Sequence, residues 1–392
     1  MPARSDLSIH LVAAEESGDL LGAALMRALK RDAGDVQFAG LGGRAMAAEG
    51  LASPFAIDEL SIIGVAAIPR RLPLILRRIR ETAAAVVKAR PDLLVIIDSP
   101  DFTHRVARRV RKADPSIPIV DYVSPSVWAW RPARARAMRA YIDHVLAILP
   151  FEPDVHARLG GPPCTYVGHP LSERAGDLRP NEQERVRRNS APPVVLVLPG
   201  SRTGELNRLL TIFARAVALT AQRVGPFEPV LPTLPHLAER LRAATAAWPV
   251  RPRIIVEAGE KDAAFRVART ALAKSGTVTL ELAVAGVPMV TAYKISALEA
   301  FVARRVIRVP SVILANLVLG ENVVPEFLQD ACTPERLADA LVPLIEDTPA
   351  RRQQVDAFAN LNAIMQIGTL VPSARAAEIV LALAQRADKK AC

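Results

Sequence analysis

The chain has 392 residues, of which 51% are hydrophobic and 23% are charged. This balance excludes an intrinsically disordered chain, and the length favours two domains over one. A net charge of +10, from 50 Lys and Arg against 40 Asp and Glu, indicates an anionic partner: a nucleotide, a phosphorylated sugar, a phospholipid or a nucleic acid.

The first half of the chain alternates short apolar runs with alanine-rich helical segments. Strands and helices in repeated succession predict a parallel sheet covered by helices on both faces. The predicted strands are Ser8–Ala13, Leu93–Ile97, Ile117–Tyr122 and His144–Leu149. The predicted helices include Leu20–Arg31, Leu72–Arg90 and Thr103–Lys112.

Prolines, glycines and charges over Gly160–Ala191 predict a surface connection between two domains. A second alternation of strands and helices follows this connection. Its predicted strands are Val194–Leu198, Pro229–Leu231, Arg253–Glu257, Leu272–Lys274 and Pro288–Ala292. Its predicted helices are Gly204–Val224, His236–Ala247, Asp262–Thr270 and Thr279–Ala285.

The two alternations predict an α/β fold of two tandem Rossmann-like, doubly wound domains. The N-terminal domain is predicted to cover residues 1–175 and the C-terminal domain residues 190–365. A helical segment at 366–392 is expected to pack on the N-terminal domain or on a partner. Ligands of such sheets bind beyond the carboxyl ends of the strands, so a cleft between the domains is the expected site.

Asp98 ends the apolar run Leu93–Ile97, and Pro100 follows two residues later. A carboxylate is costly in a core but useful at the rim of a parallel sheet, and the proline would fix its direction. We therefore expect Asp98 to be functional. Asp101 is expected to cap the next helix, which is a structural role.

Two further loops follow predicted strands. Ser17, Gly18 and Asp19 turn into a helix whose free N–H groups suit an anionic or hydroxyl-bearing ligand, although an ordinary connecting loop would look the same. In the string LPGSR, Gly200 permits close backbone approach and Arg202 could clamp phosphate oxygens. Neither loop carries a dinucleotide fingerprint or a P-loop.

The string SGTVTLE also turns from a predicted strand into a helix. Ser275, Gly276 and Thr277 lie at the helix start, where unpaired N–H groups and a partial positive charge suit a diphosphate. Glu281 lies one helical turn later, at the right distance from the helix start to bind the paired hydroxyls of a ribose. This arrangement is similar to the nucleotide-sugar half of glycosyltransferases with two Rossmann-like domains. No Asp-X-Asp pair stands at a comparable place, so we expect no metal.

Three stretches combine apolar or aromatic residues with arginine. Tyr122–Pro153, with Trp128 and Trp130, suits either nucleic acid or a tryptophan core beside a solvated basic helix. Ile68–Arg90 and Phe301–Gly320 suit either an anionic membrane surface or ordinary amphipathic helices. The composition of these stretches leaves both alternatives open.

Cysteine content and apolar run length indicate the compartment. Cys164, Cys332 and Cys392 show neither a disulfide framework nor metal-ligand spacing, which is typical of a reducing cytosol. The N-terminal residues have no long apolar core of a signal peptide, and no apolar run approaches the roughly 18 residues that a membrane span needs. We therefore expect a cytoplasmic protein that is soluble or lies on a membrane surface.

Eight strings taken together resemble the lipid-A-disaccharide synthase family. They occur in the family's order over nearly the whole chain, and two of them, YVSPSVWAWR and NLVLGENVVPEFLQ, are highly specific. The other six strings are SGDLLGA, IDSPDF, LPFE, GHPL, LPGSR and SGTVTLE. The first loop departs from the family's AGEASGD, because Ala14 and Glu16 replace a glycine and an alanine.

The resemblance implies an inverting glycosyltransferase of the GT-B type that needs no cofactor. The donor would be UDP-2,3-diacylglucosamine and the acceptor 2,3-diacylglucosamine 1-phosphate, which yield a β-1,6-linked disaccharide 1-phosphate and UDP. The enzyme would work peripherally at the cytoplasmic face of the inner membrane of a Gram-negative bacterium. Nucleic acid would not be a partner, and a homodimer through the C-terminal part stays open. The alternative is another GT-B enzyme on UDP-GlcNAc-type sugars, either an epimerase or a lipid-sugar transferase.

The resemblance also implies roles for individual residues. Asp98 would be the general base on the acceptor 6-hydroxyl, and Arg202 would stabilise the departing diphosphate. The implied substrate-binding residues are Ser17, Asp19, Ser201, Ser275, Gly276, Thr277, Glu281, Asn316 and Glu321.

Overall fold

The computed structural model describes residues 7–60, 68–296, 299–301, 305, 309–366 and 370–391. The chain forms two compact units. Unit 1 contains Met1–Pro170 and Ile367–Cys392, and unit 2 contains Leu171–Gln366. Each unit holds one six-stranded sheet whose paired strands are all parallel. The predicted α/β fold class is therefore confirmed.

The sheet of unit 1 has the strand order β2-β1-β3-β4-β5-β6. Its strands are β1 Leu7–Ala13, β2 Val36–Leu41, β3 Leu93–Ile97, β4 Ile119–Tyr122, β5 His144–Ala147 and β6 Cys164–Tyr166. All five residues of β3 are buried because helices cover both faces of the sheet. The last residues of the neighbouring strands β1 and β3, Ala13 and Ile97, are paired, so the loops after β1 and β3 start side by side.

The helices of unit 1 pack on both faces of this sheet. They are α1 Glu16–Ala33, α2 Arg44–Ala48, α3 Ile68–Ala89, α4 Thr103–Ala113, α5 Ala133–Met138, α6 Glu152–Leu159 and the C-terminal helix Pro372–Ala391. The C-terminal helix follows unit 2 in the chain but belongs to unit 1. One core layer includes Leu25 of α1 and Val380 of the C-terminal helix. The opposite layer includes Ile79 of α3 and Val106 of α4. The end of the chain thus completes the fold of unit 1.

The sheet of unit 2 has the strand order β12-β11-β10-β7-β8-β9. Its strands are β7 Val194–Leu198, β8 Glu228–Pro232, β9 Arg253–Ile255, β10 Ala268–Lys274, β11 Met289–Tyr293 and β12 Glu326–Leu328. Its described helices are α7 Ala175–Leu178, α8 Glu182–Asn189, α9 Thr203–Val224, α10 Ala238–Thr245, α11 Ala258–Val267, α12 Val278–Val284, α13 Leu314–Leu319, α14 Pro334–Ile345 and α15 Pro349–Ile364. The C-terminal helix of unit 1 is numbered α16 because it follows these helices in the chain. Leu198 of β7 pairs with Ala273 of β10, which brings the loops after these strands together.

Three strands, β2, β6 and β12, were absent from the sequence prediction. All three are edge strands. These three strands are partly exposed and lack the continuous apolar run by which a central strand of a parallel sheet is identified, whereas the fourth edge strand, β9, is predicted as Arg253–Glu257. The segment Gly160–Ala191, predicted as a surface connection between two domains, contains the boundary between the units at Pro170 and Leu171, and it also contains β6, α7 and α8.

Candidate functional site

Each sheet has a point where the strand order reverses. In unit 1 the chain leaves β1 for β2 on one side, then passes through β3 to β4 on the other side. In unit 2 the same reversal separates β7 from β10. Ligands of open α/β sheets bind beyond the carboxyl ends of the strands at such a switch point. The loops that follow β3, β7 and β10 contain Asp98, Ser201, Arg202 and Ser275, and Ser17 lies in the first turn of α1, which begins at Glu16 after β1.

Asp98 is held in an unusual backbone conformation at the end of β3. Its φ is 53° and that of Ser99 is 45°, in the left-handed region that Asp tolerates better than most residues. The Asp98 N–H donates to the carbonyl of Tyr122 over 3.0 Å, and the Thr103 hydroxyl donates to the Asp98 carbonyl over 2.7 Å. These bonds fix the backbone, and so the direction of the carboxylate, at the switch point.

The Asp98 carboxylate accepts hydrogen bonds from two neutral groups. The Ser99 N–H donates to Oδ1 over 2.7 Å, and the Ser17 hydroxyl donates to Oδ2 over 3.0 Å. The structure thus brings Ser17 and Asp98 together, and the serine side chain is exposed. A carboxylate with these two donors keeps lone pairs that can accept a proton from a hydroxyl group.

Asp19 is held by hydrogen bonds within unit 1, and the expectation that it faces a substrate stays a prediction. Its side chain is only 4% exposed and lies at the N-terminus of α2. Oδ1 accepts the N–H groups of Gly43 and Met46, and Oδ2 accepts that of Ala45, at 2.7–3.0 Å. The carboxylate therefore satisfies helix N–H groups that would otherwise lack an intrahelical partner.

The two tryptophans of the YVSPSVWAWR string have different environments. The Trp128 indole N–H donates to Oε1 of Glu152 over 3.2 Å, and its ring packs edge-on against Phe151 at 5.4 Å. Trp130 is 38% exposed, and the Arg131 guanidinium lies 4.3 Å above its ring. The alternative of a fully buried tryptophan pair is therefore wrong, because only Trp128 joins a buried polar cluster.

Glu152 makes the stability of unit 1 depend on pH. Burial raises the pKa of this carboxyl to about 8 from its ordinary 4.5, so the folded state binds more protons than the unfolded state between these values. Its contribution to stability therefore falls as the pH rises through this window. Burial lowers the pKa of His10 and of His169 to about 4 from their ordinary 6.5. Their contribution to the stability of unit 1 therefore rises with pH between these two values and is constant above pH 6.5.

Between pH 6.5 and 8 we expect the unfolding free energy of unit 1 to fall by up to about 1.4 kcal/mol per pH unit. Glu152→Gln should abolish this slope, because an amide stays neutral throughout. Asp154→Asn, an exposed change in the same helix, is the matched control and should keep it. Urea unfolding at half-unit pH steps measures the slopes, and equal slopes in the wild type and Glu152→Gln would contradict the assignment.

In unit 2 the loop after β7 is organised by Glu205. Its Oε2 accepts the backbone N–H groups of Ser201 and Arg202, each over 3.3 Å. Gly200 has a φ of 112°, and a Cβ there would lie 2.5 Å from the same oxygen, so glycine is required. The Arg202 side chain is 85% exposed, with Nη1 3.8 Å from Oε1 of Glu205. The loop thus presents an exposed guanidinium on a fixed backbone.

The loop after β10 adjoins the same carboxylate through Lys274. The Lys274 ammonium lies 3.0 Å from Oε1 of Glu205, and it would be 3.2 Å from a Cβ on Gly276. Ser275 is buried, and its N–H donates to the carbonyl of Ala292 over 3.0 Å. The sequence analysis does not single out Lys274, although Lys274 shares one feature with Asp98: it is a charged residue at the carboxyl end of a buried strand.

Thr277 and Glu281 lie at the start of α12. Thr277 is exposed, and its carbonyl accepts the N–H groups of Leu280 and Glu281. The Glu281 carboxylate is paired with the ammonium of Lys261 at 2.6 Å. A ribose bound by Glu281 would therefore share this carboxylate with Lys261 or displace the Lys261 ammonium from it.

Asn316 is hydrogen-bonded within unit 2, and the expectation that it lines the nucleotide stays a prediction. Its side chain is buried, Nδ2 donates to the carbonyl of Val324 over 3.0 Å, and Oδ1 accepts the Val324 N–H over 2.9 Å. Nδ2 also lies 3.2 Å from Oε1 of Glu326. Asn316 thereby shapes the loop between α13 and β12. Glu321 is exposed in that loop, where its N–H donates to the Asn316 carbonyl.

The described residues show neither a metal-binding cluster nor a membrane-spanning helix. Among those residues, no group of three or more His, Cys, Asp or Glu side chains could hold a metal ion. Among the same residues, no helix is long and apolar enough to cross a bilayer. The basic apolar segment Phe301–Gly320 lies partly outside the described residues.

Comparison with known sequences gives one consistent family. The model of the lipid-A-disaccharide synthetase family matches residues 9–380. The chain is 63% identical over 380 residues to the lipid-A-disaccharide synthase of Nitrobacter hamburgensis, covering 97% of this chain and 96% of that protein. It is 61% identical over 375 residues to that of Bradyrhizobium diazoefficiens, covering 95% and 96%.

Solved structures share the fold at low sequence identity. UDP-GlcNAc 2-epimerase from Neisseria meningitidis, bound to UDP-GlcNAc, aligns with a TM-score of 0.63 at 11% identity, covering 96% of this chain and 100% of that one. MurG from Acinetobacter baumannii aligns with a TM-score of 0.60 at 16% identity, covering 96% and 99%. These similarities confirm the fold class alone.

Proposed function

The chain belongs to the lipid-A-disaccharide synthetase family, and from this we propose that it is an inverting glycosyltransferase of lipid A biosynthesis. It transfers 2,3-diacylglucosamine from UDP to the 6-hydroxyl of 2,3-diacylglucosamine 1-phosphate and releases UDP. The observation that carries the proposal is the family match over residues 9–380, together with a carboxylate, Asp98, at the switch point of unit 1. Membership of this family favours the synthase over the epimerase alternative.

The proposed role of Asp98 is to activate the acceptor. A sugar hydroxyl is a weak nucleophile until a base accepts its proton during the attack. Asp98 suits this task because its backbone is fixed and its carboxylate is held by the neutral donors Ser99 and Ser17. The proton moves from the 6-hydroxyl to Asp98 as the oxygen attacks the anomeric carbon. Ser17 orients the carboxylate and borders the acceptor.

The proposed role of the unit 2 loops is to stabilise the leaving group. As the new C–O bond forms, the bond from the anomeric carbon to the diphosphate breaks, its electron pair leaves with UDP, and the configuration inverts. The carbon is oxocarbenium-like at this stage, as in glycoside hydrolysis. Arg202 offers an exposed guanidinium to the growing negative charge. Ser201, Ser275, Gly276 and Thr277 form the proposed diphosphate pocket, with Glu281 at the ribose and Glu321 beside the nucleotide.

The enzyme is further proposed to work peripherally at the cytoplasmic face of the inner membrane. Both substrates carry acyl chains, so their delivery from a lipid surface avoids moving those chains through water. The arginines of α3, which include Arg77 and Arg80, support contact with anionic lipid. We also propose that the enzyme forms a homodimer through its C-terminal part.

The test is to incubate the purified protein with both acylated sugars and to follow disaccharide and UDP by mass spectrometry. We expect a tetraacyl disaccharide 1-phosphate and UDP in equal amounts, without added metal. UDP-GlcNAc without acceptor is the control for an epimerase, which would convert it to the 2-epimer. Epimer formation without disaccharide would contradict the proposed function.

A further inference from the structure

Lys274 and Glu205 form an ion pair that joins the two loops at the switch point of unit 2. Their side chains are only 15% and 14% exposed, and the ammonium lies 3.0 Å from Oε1 of the carboxylate. A largely buried ion pair gives little net stability compared with apolar residues of the same size, because both charges lose water. Stability alone therefore gives no reason for this pair.

The second observation is the direction of the ammonium. Lys274 Nζ is 3.2 Å from the position of a Cβ on Gly276, so it borders the middle residue of the predicted phosphate loop. The Tyr293 ring, 5.2 Å from Nζ, limits the side chain on another side. An ammonium has three N–H donors, and the bond to Glu205 uses one of them. The others are available to an oxygen placed against Gly276.

The third observation is the second set of contacts of Glu205. The same carboxylate accepts the N–H groups of Ser201 and Arg202 through Oε2. It thus holds the backbone that carries the exposed Arg202 guanidinium. One side chain therefore sets the geometry of two cations, one from each loop.

We propose that Lys274 is a further diphosphate-binding residue of the donor site and that Glu205 is the positioning residue for both Lys274 and Arg202. This inference rests on the proposed function, since it takes the donor to be a nucleoside diphosphate sugar. Lys274 contacts a diphosphate oxygen in the ground state and in the transition state. Glu205 acts through its neighbours and does not touch the substrate.

The test of Lys274 compares the affinities of UDP and uridine by calorimetry at constant salt. Lys274→Met should weaken UDP binding by about 10- to 100-fold, the range for one charge-assisted hydrogen bond, and leave uridine binding unchanged. Lys274→Arg should restore most of the UDP affinity. The matched control is Arg223→Met. Arg223 lies in the last turn of α9 and is paired with Asp339, so this change removes one positive charge from an ion pair, as Lys274→Met does.

The test of Glu205 separates affinity from turnover. Glu205→Leu removes both the anion that holds Lys274 and the acceptor of the Ser201 and Arg202 N–H groups. UDP affinity and kcat should both fall, with the larger fall in kcat because Arg202 acts on the departing diphosphate, while uridine affinity equals that of the wild type. A variant that only disturbed the fold would weaken UDP and uridine together, and that result would overturn the positioning role.

The outcomes also separate this inference from the proposed function. Unchanged UDP affinity in Lys274→Met, with a wild type that binds UDP and makes disaccharide, would overturn the inference alone. A wild type that binds no UDP would overturn the proposed function.

Discussion

Replacing Asp98 with Asn is expected to lower kcat by about 10²- to 10⁴-fold, the usual contribution of a general base. The amide has the shape of the carboxylate, but it cannot accept the proton of the acceptor hydroxyl. Its oxygen can still accept the Ser99 N–H, and the Ser17 hydroxyl can rotate to accept from its nitrogen. The loop should therefore keep its shape, and UDP affinity should equal that of the wild type.

Initial rates at saturating substrates, together with calorimetric UDP binding, measure these two effects. Ser17→Ala is the matched control, because it removes one hydrogen bond to the carboxylate and leaves the base in place, so its effect on kcat should stay below about tenfold. Asp98 would not be the base if Asp98→Asn turned over at nearly the full rate. Parallel loss of UDP affinity would instead indicate a damaged fold.

Replacing Arg188 with Met is expected to destabilise unit 2 by about 4 kcal/mol or more, since several buried carbonyls lose their donor at about 1–3 kcal/mol each. The Arg188 guanidinium donates to the carbonyls of Phe265 and Arg266 at the end of α11, over 3.0 Å each. It also donates to those of Ala285 and Gly286 after α12, over 3.1 and 3.2 Å. The last carbonyls of a helix have no intrahelical donor, so this side chain serves two helix ends.

Methionine fills the space of the apolar part of the Arg188 side chain but has no hydrogen-bond donor. Burial lowers the pKa of Arg188 to about 10, so the side chain stays charged at neutral pH. Arg185→Met, an exposed change in the same helix that removes one surface ion pair, is the control and should cost less than about 1 kcal/mol. Pulsed hydrogen exchange during urea unfolding measures unit 2 separately, since the two units need not unfold together. Equal stabilities of the two variants would contradict the role of Arg188.

The Rossmann-like fold and the central strands could be predicted because the signals that define them are local. The fully buried strands β3 and β7 are continuous apolar runs, and each ends at a loop with Gly, Pro or a charged residue. The edge strands β2, β6 and β12 could not be predicted in this way, because partial exposure removes the continuous run. The family resemblance, carried by eight short strings, is confirmed by the match over residues 9–380.

The amino-acid sequence by itself determined the fold class, the family and the loops that follow the central strands, because residue type and spacing encode each of them. The tertiary structure decided which polar side chains are already held by hydrogen bonds. The sequence predicts Asp19 and Asn316 as ligand contacts, and in the structure both side chains bond to backbone groups elsewhere in their own units. Lys274 looks like the end of a strand, but folding places it against Glu205, 69 residues away by the numbering. A hydrogen-bond partner brought close by folding leaves no local pattern in the sequence, so only the structure could separate these roles.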